Sequence, residues 1–307
     1  MNASTKVAYV VLAHSDPQMF GRLMRRLSHP SVAAFVHVDG RSDQRPFEAA
    51  VDGVSDIHFV ADRVQSRWAG FSLVESTLRA FELALSRTTK ACTHFVVISG
   101  ADYPLVPNDT ILGFFAACPE RQFIRRFSLM ESGDAVQMWR VRGRYFREWA
   151  DRFTWKRKPL FVLERLFRLF PRHPPAGLRV VLGSQWVALT RSCVAYCVSR
   201  ARDDRRLLRF FRPSFAPDEM FIHTLVQDSP FAAQAEPIES YSDITTVGGP
   251  FHYGNVHLLP PKVPIVSAEA ARAILDNRGD KLFTRKLSST LSEAALAVFD
   301  EVGHSAR

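Results

Sequence analysis

Long apolar runs, cysteine frameworks and repeats are all missing from this chain of 307 residues. The apolar run nearest the N-terminus, Val7 to Ala13, is too short to cross a bilayer. It also lacks the basic start and small-residue cleavage site of a signal peptide, so it reads as a buried strand. The four cysteines, Cys92, Cys118, Cys193 and Cys197, sit at spacings that match neither a zinc site nor a disulfide framework. They read as buried, reduced thiols, with Cys193 and Cys197 on one helix face, and they point to the cytoplasm. No stretch repeats and none is of low complexity, which excludes solenoids and linker-joined arrays. No nucleic-acid motif is present, and the 40 basic residues are spread out rather than interleaved with a stacking platform.

What is present is an ordinary globular composition. Hydrophobic residues make up 47% of the chain, enough for a full core in one large domain or two modest ones. A net charge of +9 favours an anionic partner, and nucleic acid, a lipid surface and a nucleotide phosphate all qualify on charge alone. In the first third, Val7–Ala13, Ala33–Val38 and His94–Ser99 are strand-like. Between them, Pro17–Leu27 and Ser72–Leu85 carry apolar residues at helical spacing. That alternation predicts βαβ units, hence an α/β chain with a parallel sheet covered by helices and ligands at the carboxyl ends of its strands.

Two of those strand ends are polar: Asp39 and Gly40 close one, and Ser99, Gly100, Ala101, Asp102 and Tyr103 close another. A turn explains either one alone, but two on successive strands of one sheet suggest a ligand edge. Further on, GSQWVALT from Gly183 reads as a strand, with Trp186 either core or a sugar-stacking platform. The stretch FAPDEMFIHTL then places Asp218 and Glu219 directly after Pro217 and before an apolar helical run. Proline suits the first helical position, and acidic residues in the first turn complement the helix dipole by roughly 0.3–1 kcal/mol each. Adjacent first-turn carboxylates point about 100° apart, so one can cap amides while the other faces the strand-end cleft. The final quarter holds a loop rich in glycine and histidine, GGPFHYGNVHLLPPK, and a terminal helical stretch beyond DKLFTRKLSS.

Five motifs in this order, WAGFSLVESTL, ISGADYPL, GSQWVAL, FAPDEMF and LFTRK, resemble the core-2/I-branching β-1,6-N-acetylglucosaminyltransferases and their peptide-xylosyltransferase relatives. The resemblance runs from about Val7 to Lys286 and suggests a bacterial-type member of the family. It implies a Rossmann-like, mostly parallel GT-A type fold, one domain over 1–307. Within it, 1–130 is the nucleotide-binding half and 131–307 the acceptor-binding and catalytic half. It also implies a UDP-sugar donor, with N-acetylglucosamine first and xylose second, inversion at the anomeric carbon, and neither divalent metal nor other cofactor. Carried over residue by residue, Glu219 is the general base, Asp39 contacts the uridine and Lys286 binds the donor diphosphate. The second basic group there is His257, Lys262 or Arg285. Asp102 and Tyr103 are expected near the donor sugar, and Trp186, Asp218 and Tyr253, with Trp139, Tyr145 and Trp149, on the acceptor side. Ala69 departs from the family pattern, since relatives often have two glycines where Trp68-Ala69-Gly70 stands.

The residues themselves support such chemistry. An inverting transfer needs one base for the acceptor hydroxyl and one cationic site for the departing diphosphate. The chain offers carboxylates and lysines, no Ser-His-Asp signature and no Asp-x-Asp, so the leaving-group charge falls to Lys286 and Arg285. His223, His252 and His257 are too loosely placed for a zinc or iron site. A metal-dependent nucleotide-sugar transferase and a non-catalytic carbohydrate-binding protein on the same fold are the rivals. No nucleic acid is expected as a partner. A glycan or lipid-linked glycan acceptor is expected, in cell-surface or exported polysaccharide synthesis. The segment Lys156 to Phe170, if helical, gathers Glu164, Arg165 and Arg168 on a narrow side and leaves Leu160, Leu163, Leu166, Phe167 and Phe170 on a broad apolar face. That face either packs on the core or lies on an anionic membrane, and the latter would put the protein on the inner face of the plasma membrane.

Overall fold

The structure, a computed structural model, describes residues 6–129, 133–150, 154–239 and 252–304. Among them the strands are β1 (Val7–Ala13), β2 (Val32–Val38), β3 (Ile57–Phe59), β4 (His94–Ser99), β5 (Asp102–Pro104), β6 (Arg126–Ser128), β7 (Val181–Leu182), β8 (Ala188–Thr190), β9 (Ile238–Glu239), β10 (His252–Tyr253), β11 (His257–Leu259) and β12 (Phe283–Arg285). The largest sheet has the order β3-β2-β1-β4-β8. Its first four strands run parallel and β8 lies antiparallel on the edge of β4. The order winds outward from β1 in both directions, β2 and β3 to one side and β4 to the other.

Both faces of this sheet are covered, which is why β1, β2 and β4 are continuous apolar runs rather than alternating ones. Val7, Tyr9 and Val11 point into one core with helix Pro17–Leu27 and the C-terminal helix Glu293–His304. Ala8 and Val10 point into the other, with helices Ser72–Arg87, Arg191–Asp203 and Phe221–Gln227. Cys193 and Cys197 are buried on one face of their helix, and the four thiols are free. A second sheet, β10-β11-β12-β5, and a third, β7-β6-β9, mix parallel and antiparallel pairs. The fold is therefore α/β with one mostly parallel sheet and two small mixed ones.

Three expectations change. GSQWVALT is not one strand, because β7 ends at Leu182 and β8 starts at Ala188, leaving Trp186 on irregular chain between them. Pro217 does not open an α-helix: Pro217–Glu219 is a single 3₁₀ turn, Met220 breaks it at φ −133°, and the helix begins at Phe221. The segment around residue 160 is helical at Arg157–Leu166, but Glu164 faces inward while Leu166 and Phe170 face out. Of the expected apolar face, Leu160, Leu163 and Phe167 are half-buried, with Phe167 against Phe146, while Leu166 and Phe170 are exposed.

Candidate active site

Where the apolar runs of β1, β2 and β4 stop, their carboxyl ends open into a cleft of about 750 Å³. Asp39, the residue after β2, is buried on this edge, and its N–H donates to the Ala13 carbonyl at 2.8 Å, tying two strand ends together. Its carboxylate accepts from the Arg41 N–H at 2.8 Å and from the Arg41 guanidinium at 3.1 and 3.2 Å. His37 and His14 share the wall. Burial pushes His37 down to about 4, and burial followed by nearby Lys286 lowers His14. Both imidazoles are thereby biased towards the neutral form, able to accept or donate without adding charge.

The cationic wall is built from the C-terminal segment. Arg285 ends β12 opposite Asp102 on β5, the Leu287 N–H donates to the Ala101 carbonyl at 2.9 Å, and the Ser289 N–H donates to Asp16 at 2.8 Å. These anchors on either side hold Lys286 at the sheet edge, where it lines the cleft together with Arg285. Asp102 is fully buried beneath them. It accepts from the Ser99 N–H at 2.8 Å, the Ser99 hydroxyl, His257 Nε2 at 3.0 Å and Arg285 Nε at 3.2 Å. Burial raises its carboxyl, but the Arg285 charge and the His257 and Ser99 hydrogen bonds outweigh that and hold it below the usual range. The Arg285 guanidinium lies over the Trp186 ring, 4.2 Å from its centroid, a cation–π contact that fixes the head group from the other side. Lys286 is lowered by burial and next by Arg285. A bound anion would offset both effects by favouring the charged ammonium.

The carboxylates complete the cleft. Ala216 has φ 47° and Ala69 φ 59°, both in the left-handed region that alanine avoids, and the Ala216 N–H donates to the Ala69 carbonyl at 3.0 Å. This strained pair turns the chain so that the 3₁₀ turn presents Asp218 and Glu219 to the cleft. Glu219 is paired with the Arg140 guanidinium through Oε2, and its backbone carbonyl accepts the Gly183 N–H at 2.9 Å. Asp218 Oδ1 is shielded from solvent and has no hydrogen-bond partner among the described residues. Burial, and next the Glu219 charge, push Asp218 up to about 7. Among the described residues, no group of three or more His, Cys, Asp or Glu is placed to hold a metal ion.

The cleft at the strand ends thus carries paired cations on one wall and paired carboxylates on another. The sequence model of the Core-2/I-Branching enzyme family matches residues 7–236. The chain belongs to this family of glycosyltransferases. Among similar proteins, xylosyltransferase 2 of Homo sapiens is 28% identical over 232 residues, covering 73% of this chain and 25% of that protein. Xylosyltransferase 1 of Homo sapiens is 27% identical over 232 residues, covering 73% and 22%. Xylosyltransferase 2 of Mus musculus is 27% identical over 236 residues, covering 74% and 25%. The chain thus spans about a quarter of the length of these relatives, and none of its described helices is long and apolar enough to cross a membrane.

Of the residues singled out in this family member's sequence, Asp39, Trp186, Asp218, Glu219, Arg285 and Lys286 line one cleft. Asp102 and His257 do not: both are fully buried behind Arg285, where they position it rather than face the cavity. Tyr103 is buried with its hydroxyl donating to Asp300, away from the cleft. Of the three competing basic groups, Arg285 lines the cavity and His257 is bonded to Asp102, while Lys262 is exposed and outside the lining. Trp186 is committed to Arg285, so the ring face under that guanidinium is taken. Asp218 caps no helix. Tyr145 packs on Phe215 behind the carboxylate turn, and Trp139 and Trp149 lie outside the lining. Tyr253 is on β10, but its side chain lies outside the described residues. Sequence reasoning missed Arg140, one arginine in an arginine-dense stretch, and Asn255. The Asn255 side chain accepts from the Arg125 N–H at 2.6 Å and donates to the Trp186 carbonyl at 2.9 Å.

Proposed function

We propose that this chain transfers a sugar from a UDP-sugar to a hydroxyl of a glycan acceptor, with inversion, without a divalent metal and on a GT-A type scaffold. The observation that carries this reading is the placement of Arg285 and Lys286 and of Asp218 and Glu219 on the walls of one strand-end cleft. In the proposed step Glu219 takes the proton of the acceptor hydroxyl through the carboxylate oxygen that Arg140 leaves open. The acceptor oxygen then bonds to the anomeric carbon, the bond from that carbon to the diphosphate oxygen breaks, and the electron pair leaves on the diphosphate. Lys286 and Arg285 meet that charge, and a single in-line displacement inverts the centre. Asp39, at the end of β2, is assigned to the uridine. Residues 1–130 serve the nucleotide, and 131–307 supply the acceptor side and the catalytic groups, Arg285 and Lys286 at the diphosphate among them. The named relatives favour xylose as one donor arm and the family N-acetylglucosamine as the other, in cell-surface or exported polysaccharide synthesis.

The test is turnover of UDP-N-acetylglucosamine and UDP-xylose, read as donor hydrolysis in excess EDTA. Hydrolysis that persists in EDTA is expected, and Lys286→Ala should cost about 2–4 kcal/mol of transition-state stabilisation, as for loss of one oxyanion donor. Complete loss in EDTA with rescue by manganese overturns metal independence. UDP binding without any turnover favours a non-catalytic carbohydrate-binding protein.

A further inference from the structure

Helix Arg157–Leu166 is held down by polar contacts and turns apolar side chains outward. Its inward side carries Arg157 and Glu164, a buried ion pair at 2.6 Å, and Glu164 also accepts the Phe146 N–H at 2.9 Å. After the helix, Arg144 donates to the Phe170 carbonyl at 2.8 Å, and Arg172 donates to the carbonyls of Gly143 and Val141 at 2.9 and 2.7 Å. Trp155, Phe161, Val162, Leu166, Leu169 and Phe170 are all more than half exposed. Trp149, whose ring packs on Phe146, is 68% exposed. Large apolar side chains gathered this way on one surface mark an interaction site.

The exposed charges of the helix and of the described residues directly flanking it are of one sign. Lys156, Lys158, Arg165 and Arg168 are exposed, whereas the only carboxylate of the helix, Glu164, is buried against Arg157. On the helical wheel Lys158 and Arg165 fall between Phe161 and Val162, so cations and apolar groups are interleaved across one face rather than segregated. Long basic side chains can reach headgroup phosphates while aromatic and aliphatic groups enter the acyl boundary, and aromatic rings favour that interface.

We propose that this face docks the protein on an anionic lipid surface, with the helix lying in the interfacial plane. The proposal is independent of the sugar-transfer reading, since none of these residues lines the cleft. The test is flotation of the full chain with phosphatidylcholine vesicles, with and without 30 mol% phosphatidylglycerol, at low and high salt. Binding is expected to the anionic vesicles at low salt and to weaken as salt rises. Lys158→Gln/Arg165→Gln should weaken it about 25-fold, near fivefold for each charge, and Phe161→Ser/Leu166→Ser should abolish it. Circular dichroism and donor hydrolysis, both expected to be unchanged, report that these surface variants fold. If the serine pair does not fold, the charge pair decides alone. Absence of binding to anionic vesicles at low salt overturns the proposal, as does binding that ignores lipid charge or survives both pairs of substitutions. Concentration-dependent dimerisation lost on Phe161→Ser/Leu166→Ser, without vesicle binding, assigns the face to a second copy instead.

Discussion

Asp218 and Glu219 are neighbours in one 3₁₀ turn, yet their surroundings set them apart. Glu219 has one oxygen on Arg140 and remains open to the cleft, the arrangement of a base oriented by a third group. Glu219→Gln keeps the shape and cannot accept a proton, so kcat should fall at least ~10²-fold while the Kd for UDP, measured by calorimetry, stays within about twofold. Near-normal turnover by this variant, with a folded but inactive Asp218→Asn, would reverse the two roles. Asp218 also leaves a thermodynamic signature. Its folded carboxyl is raised to about 7, so the folded state holds a proton that the unfolded chain releases near its ordinary value of 3.8. The protonated form carries its full stability at acid pH, and that contribution is lost as pH rises through about 7. Asp218→Asn should therefore stabilise the protein at pH 8.5, by up to about 4 kcal/mol, and change little at pH 4. Melting curves at the two pH values check this, and a variant less stable at pH 8.5 contradicts it.

At the scale of elements, the site is a set of ends: three strand ends, one 3₁₀ turn and the segment after β12. The strand ends were legible in the sequence because the apolar runs of β1 and β4 stop abruptly at polar residues, and Val7–Ala13, Pro17–Leu27 and His94–Ser99 have the boundaries that their periodicity predicts. The carboxylate turn was less so. Its geometry depends on two alanines in left-handed conformation, residues that carry no turn signal of their own. Equally hidden was the difference between lining a cleft and holding what lines it, because Asp102 and Asp39 both follow apolar runs while only Asp39 faces the cavity. Asp102 is fully buried against Arg285 and His257, and its lowered carboxyl contributes stability above the ordinary aspartate range that is lost as pH falls below it. Asp102→Asn leaves the Arg285 guanidinium without its buried counter-charge, so a loss of about 2–4 kcal/mol is expected from pH 5 to 8, the opposite sign to Asp218→Asn. Arg285 also loses its anchor, and the Kd for UDP should rise with kcat less affected. Unchanged stability at pH 7 would show that Asp102 bears no such load.

Across the whole molecule the chain returns repeatedly to its start. β8, from residues 188–190, completes the edge of the sheet begun by β1, β12 pairs with β5, and Phe299 of the last helix shares a core with Val7. The cleft inherits this interlocking: Asp39 comes from the first half of the chain, and Glu219, Arg285 and Lys286 from the second. A chain of this size can unfold in steps when its parts hold separate cores. Here each core draws side chains from both halves, so residues 1–130 cannot keep theirs alone. Calorimetry should show one transition. UDP at 100 times its Kd binds the folded state only, which adds about 2.7 kcal/mol and shifts that entire transition upward by about 5 °C. The shift should shrink in Lys286→Ala in step with its weaker binding, because the proposed donor site takes groups from both ends of the sequence. Two transitions, of which UDP moves only one, would mean that the nucleotide-side half folds and binds by itself and that the interlocked sheets contribute little to cooperativity.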